Sequence, residues 1–563
     1  MSTNPAISRL QSGDGADDST QRGCTSWLLI SCIILTITTS FVFGWGLAAP
    51  NMYNDFTEPF LKGKDSCSVD VRAHPLSNEA AVVPMIVVDN NAVADGTNGA
   101  NSEKRMNENG DAAADEKSDD LPKKKHGVFN FFAELVKGIP QTLFLIGAFI
   151  GAITGPSWVK VCDRKRTVFI NYIFCFASSL CVLLGSGFQK PWLFYLSRLL
   201  LGYQGGMACA VVPPFINEIS SQRVRGTAGA SFQLSLTIGI LVAQIVGLPF
   251  IAGTCERWGW GLSIVFLLPL AGVFVLFLIP NSPTQMIGTY NNEEQATIDL
   301  KKLRGTDNVQ ADLELIREQT RQTGGGKTES LSILQVLKST HYRWPMLTTV
   351  VLQFAQALSG VNAVFFYSSK MFEKAGIPKG YIPYANIGTG AINVLATIVS
   401  LFLIEKLGRK KLVIYPMIVM IFVFGVLTAL VEYNESRNNA VLGFISVIFI
   451  LLFIVCFAVG LGPIPFLYGS EVCRPEARDS VQSLGLIANY IGNILLSLFF
   501  PALNSMLGGY VFLIFVLFVA AHVVFLWFKM PETKNKSIEH AEQFWNIAVK
   551  NPNEKLLSAT ANA

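Results

Sequence analysis

Residues Val350–Ser369 read VVLQFAQALSGVNAVFFYSS. The stretch lies inside a long apolar run, yet it carries Gln353, Gln356, Ser359, Asn362, Tyr367 and Ser368. None of these is charged, and all can donate or accept hydrogen bonds. An amide left unpaired in hydrocarbon is costly. Gln353, Gln356 and Gly360 follow an i, i+3, i+7 spacing and share one helix face. Asn362 falls off that face in an unbroken helix. The Ser359-Gly360 pair is a place where the helix can break and return Asn362 to the same side. A row of neutral amides beside a weak point suits a substrate rich in hydroxyls. It suits equally well a set of amides that only bond helix to helix.

Composition narrows the setting. The chain has 563 residues, of which 51% are hydrophobic and 15% charged, with a mean hydropathy of +0.41. Soluble proteins carry roughly 25% charged residues, so this is a polytopic membrane protein in contact with the lipid bilayer. The net charge of +4 is small and forms no basic stripe, which excludes nucleic acid as a partner. No spacing of His, Cys, Asp or Glu reads as a metal site, and no nucleophile elbow or phosphate loop is present. No cofactor, no obligate protein partner and no enzymatic chemistry is implied. The ten cysteines fall mostly in apolar runs, where they read as small hydrophobes. The apolar run after Ser26 is too long for a cleaved signal peptide and lacks a small-residue cleavage site.

The chain divides by polarity. Residues 1–24 are predicted to be a disordered N-terminus, and 25–280 a bundle of six spans containing a long polar loop at 53–130. Residues 281–343 form a polar insert with two short amphipathic helices, Asn292–Arg304 and Ala311–Arg321, and a glycine hinge at Gly324–Gly326. A second bundle of six occupies 344–529, and a polar tail 530–563. The spans fall near 25–50, 135–158, 167–187, 192–216, 226–251, 259–280, 344–367, 382–404, 412–432, 441–467, 481–503 and 508–529. Each is close to the roughly 20 residues needed to cross a bilayer. Short loops with Lys160, Arg164, Lys165, Arg166, Arg223, Arg225, Lys406, Arg409, Lys410, Lys411, Arg474 and Arg478 share one side, predicted to be cytosolic together with both termini and the insert. The cluster Lys123–Lys125 sits in the long outer loop, which is exempt from that rule.

The halves repeat. Glu218 precedes Arg225 by seven residues after span 4, and Glu471 precedes Arg478 by seven after span 10. Arg164-Lys165-Arg166 follows span 2, and Gly408-Arg409-Lys410-Lys411 follows span 8, with Glu405 just before it. This indicates a duplicated six-helix unit, with charges that can pair at the cytosolic edge in one state and separate in another.

Several segments carry a resemblance: GGMACAVVPPFINEISSQRVRGTAG, QLSLTIGILVAQIVGLPF, QALSGVNAVFFYSSKMFEKAGI, IEKLGRKKL, GLGPIPFLYGSEVCRPEAR and PETKNKS. In this order and at these spans they resemble the sugar porter family of the major facilitator superfamily, and are similar to the facilitative glucose transporters of animals. The resemblance covers all twelve spans and leaves out the termini and the first loop. It implies an all-α fold of two six-helix bundles and a plasma-membrane hexose carrier working by alternating access. It implies sugar contacts from Gln353, Gln356 and Asn362 on span 7, Asn393 on span 8, Asn489 and Asn493 on span 11, and Gln233 on span 5. Gly462-Pro463-Ile464-Pro465 breaks span 10, since neither proline donates to the helix ladder. By resemblance this is a mobile gate with Phe466 as an apolar lid and Tyr367 as an outer-gate aromatic, and Arg198 also matches a family position.

Departures from the family are equally specific. The usual second glutamine of span 7 is Ala357, and the triplet before it is Gln353-Phe354-Ala355. The aromatic after Gly-Pro-Ile-Pro is Phe466 and that of span 11 is Tyr490. The usual glycine of the span 2–3 motif is Asp163, which is expected to pair with a nearby arginine. The usual Pro-Glu-Ser-Pro-Arg reads Pro280-Asn281-Ser282-Pro283-Thr284, so an acid and a base are missing from the first-half gate. D-Glucose is the first reading of the substrate, with fructose, galactose or a polyol as alternatives and a non-transporting sugar receptor as a different class. Span 1 holds no acid to carry a proton, so facilitated diffusion is expected. Asn434-Glu435-Ser436 is a glycosylation sequon, and Cys67 and Cys255, both placed outside, are a candidate disulfide.

Overall fold

The computed structural model describes residues 25–63, 138–221, 224–322, 331–374, 377–435, 437, 439–534, 536 and 538–547. Among them the regular structure is entirely helical. Eleven stretches are long and apolar enough to cross a membrane, and the last, Ser480–Lys529, contains two helices. The twelve spans are α1 (Ser26–Met52), α2 (Ile139–Cys162), α3 (Arg164–Gly187), α4 (Pro191–Ile219), α5 (Arg225–Val246) and α6 (Trp258–Leu278), then α7 in two pieces (α7a Arg343–Leu358, α7b Val361–Lys374), α8 (Ile382–Leu407), α9 (Arg409–Glu435), α10 in two pieces (α10a Ala440–Val459, α10b Ile464–Val472), α11 (Pro475–Leu507) and α12 (Val511–Lys529).

Several helices outrun their apolar zones. α3 begins at Arg164 rather than near 167, α9 at Arg409 rather than near 412, and α11 at Pro475 rather than near 481. The hydrogen-bond ladder continues past the point where hydropathy ends. The predicted loop at 53–130 is corrected at its start, where Asn54–Leu61 is a helix. Phe56 and Phe60 lie four apart and are buried, with the Phe60 ring 5.1 Å from that of Trp258. The rest of that loop from residue 64, with Lys123–Lys125 and Cys67, lies outside the described residues, as do residues 1–24, Gly324–Gly326 and the tail beyond 547.

Packing repeats with an offset of six spans. α1 lies against α5 as α7 lies against α11, α2 against α4 as α8 against α10, and α3 against α4 as α9 against α10. Small residues bring α2 and α4 into backbone contact. Methyl groups placed at Gly147 or Gly151 would strike the α4 backbone, and at Gly202 or Gly206 the α2 backbone. This is small-xxx-small packing on both partners. The bundles meet where α5 packs on α8, α2 on α11 and α1 on α7b.

The insert docks on the first bundle. Glu293–Arg304 and Gln310–Gln322 share a small core of Leu300, Val309, Leu313 and Ile316. Arg304 Nη1 donates to the Ile219 carbonyl at 2.9 Å, and Thr25 Oγ1 to the Leu303 carbonyl at 2.6 Å. These bonds fix the insert against the ends of α4 and α1, on the face that carries the basic loops.

Candidate functional site between the bundles

The site begins with two helix breaks. Gly360 has φ +90°, a conformation that favours glycine, and it ends α7a and starts α7b. α10 stops at Val459 and restarts at Ile464. In an unbroken helix the Val459 and Leu461 carbonyls would accept from the N–H groups of residues 463 and 465, but both are prolines. Side chains on neighbouring helices supply those donors. Ser400 Oγ on α8 donates to the Val459 carbonyl at 2.8 Å. Gln356 Nε2 on α7a donates to the Leu461 carbonyl at 2.7 Å and to that of Gly462 at 3.0 Å. Gln353 Nε2 donates to the Pro465 carbonyl at 3.0 Å.

From there the amides run as a continuous wall. Asn489 Nδ2 donates to Gln356 Oε1 at 2.7 Å, to Gln353 Oε1 at 3.1 Å and to the Gln353 carbonyl at 3.0 Å. Asn493 Nδ2 reaches Asn489 Oδ1 at 2.9 Å and the Asn489 carbonyl at 3.0 Å. Across the α7 break, Asn362 Nδ2 donates to Asn493 Oδ1 at 2.5 Å. Gln353 is fully buried and Gln356 is 7% exposed, while Asn362 and Phe466 are half-buried. Asn393 on α8 is buried with Oδ1 lacking a hydrogen-bond partner. Gln233 comes from the first bundle, and a methyl group placed at Gly462 would lie 3.6 Å from its Nε2. In this conformation Gln353 and Gln356 bond α7a to the broken α10 and to α11.

Further contacts cross between the bundles. At mid-depth the Cys209 side chain on α4 faces the Tyr490 side chain on α11. Toward the face opposite the basic loops, Gln244 Nε2 on α5 donates to Thr389 Oγ1 on α8 at 3.2 Å. Asn51 Nδ2 at the end of α1 donates to Ser368 Oγ on α7b at 2.8 Å, and Ser368 Oγ to Asn386 Oδ1 on α8 at 2.6 Å. Thr142 Oγ1 donates to Ser497 Oγ at 3.4 Å, and Lys370 Nζ lies 3.5 Å from Glu58 Oε2. Tyr367 stays within the second bundle. Its hydroxyl donates to the Ser497 carbonyl at 3.1 Å, and its ring stacks on Phe500 at 5.4 Å. Asn51, Asn386, Ser400 and Cys209 were not singled out from sequence. Each is a small polar residue in an apolar run, meaningful only through its neighbour.

On the basic face two ion pairs join charges singled out from sequence. Arg164 Nε donates to Glu218 Oε2 at 2.6 Å, and its Nη2 contacts Glu218 Oε1. Arg409 Nη2 donates to Glu471 Oε1 at 2.7 Å. Each pair lies within one bundle rather than across the two. The side chains of Arg225 and Glu405 lie outside the described residues, and Arg478 Nε is buried without a hydrogen-bond partner. Asp163 Oδ2 is 3.5 Å from Arg166 Nε, but that side chain is 77% exposed, so the pair is worth little. Arg198 is buried in the first bundle, where its Nη2 donates to the Gly46 carbonyl and to Gln141 Oε1, each at 2.9 Å, over the Phe144 ring. The sequon residue Asn434 is 2% exposed and accepts the Asn439 N–H at 2.8 Å, so its amide is not presented to solvent. Cys255 is disulfide-bonded, while Cys67 lies outside the described residues.

Comparison with known proteins agrees with this arrangement. A xylose transporter from E. coli, XylE in a partially occluded inward open conformation, aligns over 91% of this chain and 100% of its own with a TM-score of 0.66 at 17% identity. The proton:xylose symporter XylE bound to 6-bromo-6-deoxy-D-glucose aligns over 92% and 99% with a TM-score of 0.67 at 18% identity. These likenesses establish the major facilitator fold. By sequence, the chain is 31% identical over 401 residues to facilitated glucose transporter member 1 of solute carrier family 2 from Gallus gallus, covering 70% of this chain and 80% of that one. It is 32% identical over 412 residues to facilitated glucose transporter protein 1 of Caenorhabditis elegans, covering 73% and 80%. The family model described as sugar (and other) transporter matches residues 32–545, from α1 through the helix after α12, and the chain belongs to that family.

Proposed function

We propose that the protein is a facilitative hexose transporter of the plasma membrane, with both termini and the insert in the cytosol. D-Glucose is the first candidate substrate. The observation that carries this reading is the wall of neutral amides at the bundle junction, built on two broken helices. Each amide offers a donor and an acceptor to a sugar hydroxyl, and no fixed charge demands an ionic substrate. Unpartnered Asn393 Oδ1 is an acceptor ready for one hydroxyl. The wall's bonds to the Leu461, Gly462 and Pro465 carbonyls give sugar binding a route to α10. A sugar that draws Gln353 and Gln356 to itself releases the broken helix to move, which couples occupancy to alternation.

The substrate-binding set is Gln233, Gln353, Gln356, Asn362, Asn393, Phe466, Asn489 and Asn493. The gating set is Tyr367, Gly462, Pro463, Pro465 and the charges of the basic face. α1 has no Asp or Glu, which supports uniport over proton coupling. The Arg164–Glu218 pair supports a carrier over a sugar receptor that does not transport. The proposal assigns no cofactor, no metal and no catalytic step.

The test is radiolabelled uptake of glucose, fructose and galactose in transporter-null cells expressing the full chain. Saturable uptake of at least one hexose is expected. Surface-expressed protein that carries none of the three would refute the proposal.

A further inference from the structure

The first-half gate carries an acid where its twin carries glycine. Asp163 separates α2 from α3, and Gly408 separates α8 from α9. Both hold the same backbone, φ 74° and ψ 168° at Asp163 and φ 90° and ψ 161° at Gly408. Glycine enters that region freely, whereas a residue with a Cβ is strained there by about 1–3 kcal/mol. The surroundings must hold Asp163 in it.

In the second half the acid comes from the segment after α12. Glu532 accepts the N–H of Arg409 at 2.7 Å and of Lys410 at 3.1 Å, at the start of α9. Its neighbour Thr533 Oγ1 donates to Glu471 Oε2 at 2.5 Å. After α6, Ser282 Oγ donates to Glu218 Oε2, also at 2.5 Å. Ser282 therefore matches Thr533, and Asn281 matches Glu532. Asn281 carries no charge and turns elsewhere, its Nδ2 donating to Asp299 Oδ2 at 3.2 Å. The N–H groups at the start of α3 find other acceptors. Asp163 Oδ1 accepts from Arg166 N at 2.8 Å, and Gln285 Oε1 from Arg164 N at 3.1 Å.

The two arrangements compete for the same space. A Cβ placed at Gly408 would lie 2.6 Å from Glu532 Oε2 and 2.9 Å from Oε1. A side chain at the turn thus collides with a glutamate at the second position, and two carboxylates there would repel. We propose that Asp163 and Asn281 form a coupled exchange. The carboxylate that anchors the start of the helix sits in the α2–α3 turn in the first half, and in the segment after the sixth span in the second. There Asp163 acts as a positioning residue that holds Arg164 against Glu218 for the conformational step of transport.

The test is a double-mutant cycle on the full chain in transporter-null cells, using Asp163→Gly, Asn281→Glu and both together. Maximal uptake rate, corrected for surface amount, is read beside KM. Asn281→Glu alone sets a glutamate against Asp163 and slows maximal uptake at least about fivefold. The same change on the Asp163→Gly background raises uptake, to within about twofold of the parent. KM stays constant throughout, because neither residue belongs to the amide wall. A glutamate whose effect has the same sign in both backgrounds, or no effect in either, overturns the exchange. Thermal melting of the four purified proteins reads the same sign comparison without transport. A parent that carries no hexose then counts against the transport reading alone, and the melting cycle still decides the exchange.

Discussion

In the first bundle α4 runs unbroken from Pro191 to Ile219 although it contains Pro213 and Pro214, while its counterpart α10 stops at Val459 and restarts at Ile464. In the same way α1 is continuous and α7 is cut at Ser359-Gly360. Proline alone bends a helix by removing donors. Proline flanked by glycine, as in Gly460-Leu461-Gly462-Pro463, frees the backbone to leave the helix. The Val459 and Leu461 carbonyls released in the second bundle are taken up by Ser400 and Gln356. The first bundle contributes one amide of the proposed wall, Gln233. On the proposed function the bundles do unequal work: the second, with its broken helices, grips the sugar and bends, and the first contributes Gln233.

This asymmetry can be broken by substitution. Gln356→Ala removes two donated bonds and one accepted bond from a buried network. At about 1–3 kcal/mol for each group left unsatisfied, uptake at low substrate concentration should fall at least roughly tenfold with surface expression retained. Equal transport by this variant would remove the wall from the second bundle. Gly360→Ala forces a Cβ into φ +90° and places it 3.2 Å from the Phe515 ring. The expected loss is about 1–3 kcal/mol of stability, seen as a lower melting temperature, with Gly425→Ala, where a Cβ meets nothing within 4 Å, as the neutral control. Similar melting of the two variants would show that the α7 break tolerates a side chain. Gln233→Ala should be milder, raising KM about two- to fivefold, since it removes one contact of the proposed set. A loss as large as that of Gln356→Ala would make the bundles equal partners. The smallest effect concerns the outer loops. Thiol labelling of Cys67 and Cys255 should require prior reduction, and free thiols without reductant would exclude the bridge.

The spans, the repeat and both helix breaks were legible in sequence because each depends on local chemistry: apolar length, loop charge, and glycine or proline at a fixed place. The amides of α7 were legible for the same reason, as polar groups in an apolar run. Their partners were not. Glu218 meets Arg164, 54 residues away in the chain, and Ser400 serves a carbonyl on another helix. Such pairings are set by packing between segments distant in the chain. The burial of Asn434 was hidden for a related reason, since a tripeptide pattern carries no information about burial.

The proposed wall of neutral amides moves hexose without a coupled ion. Purified protein in proteoliposomes, given radiolabelled glucose under an imposed inward proton gradient, tests it directly. Internal sugar should rise to the external concentration and stop there, at the same plateau with or without the gradient. Accumulation above the external concentration that collapses when the proton gradient is dissipated would contradict the account.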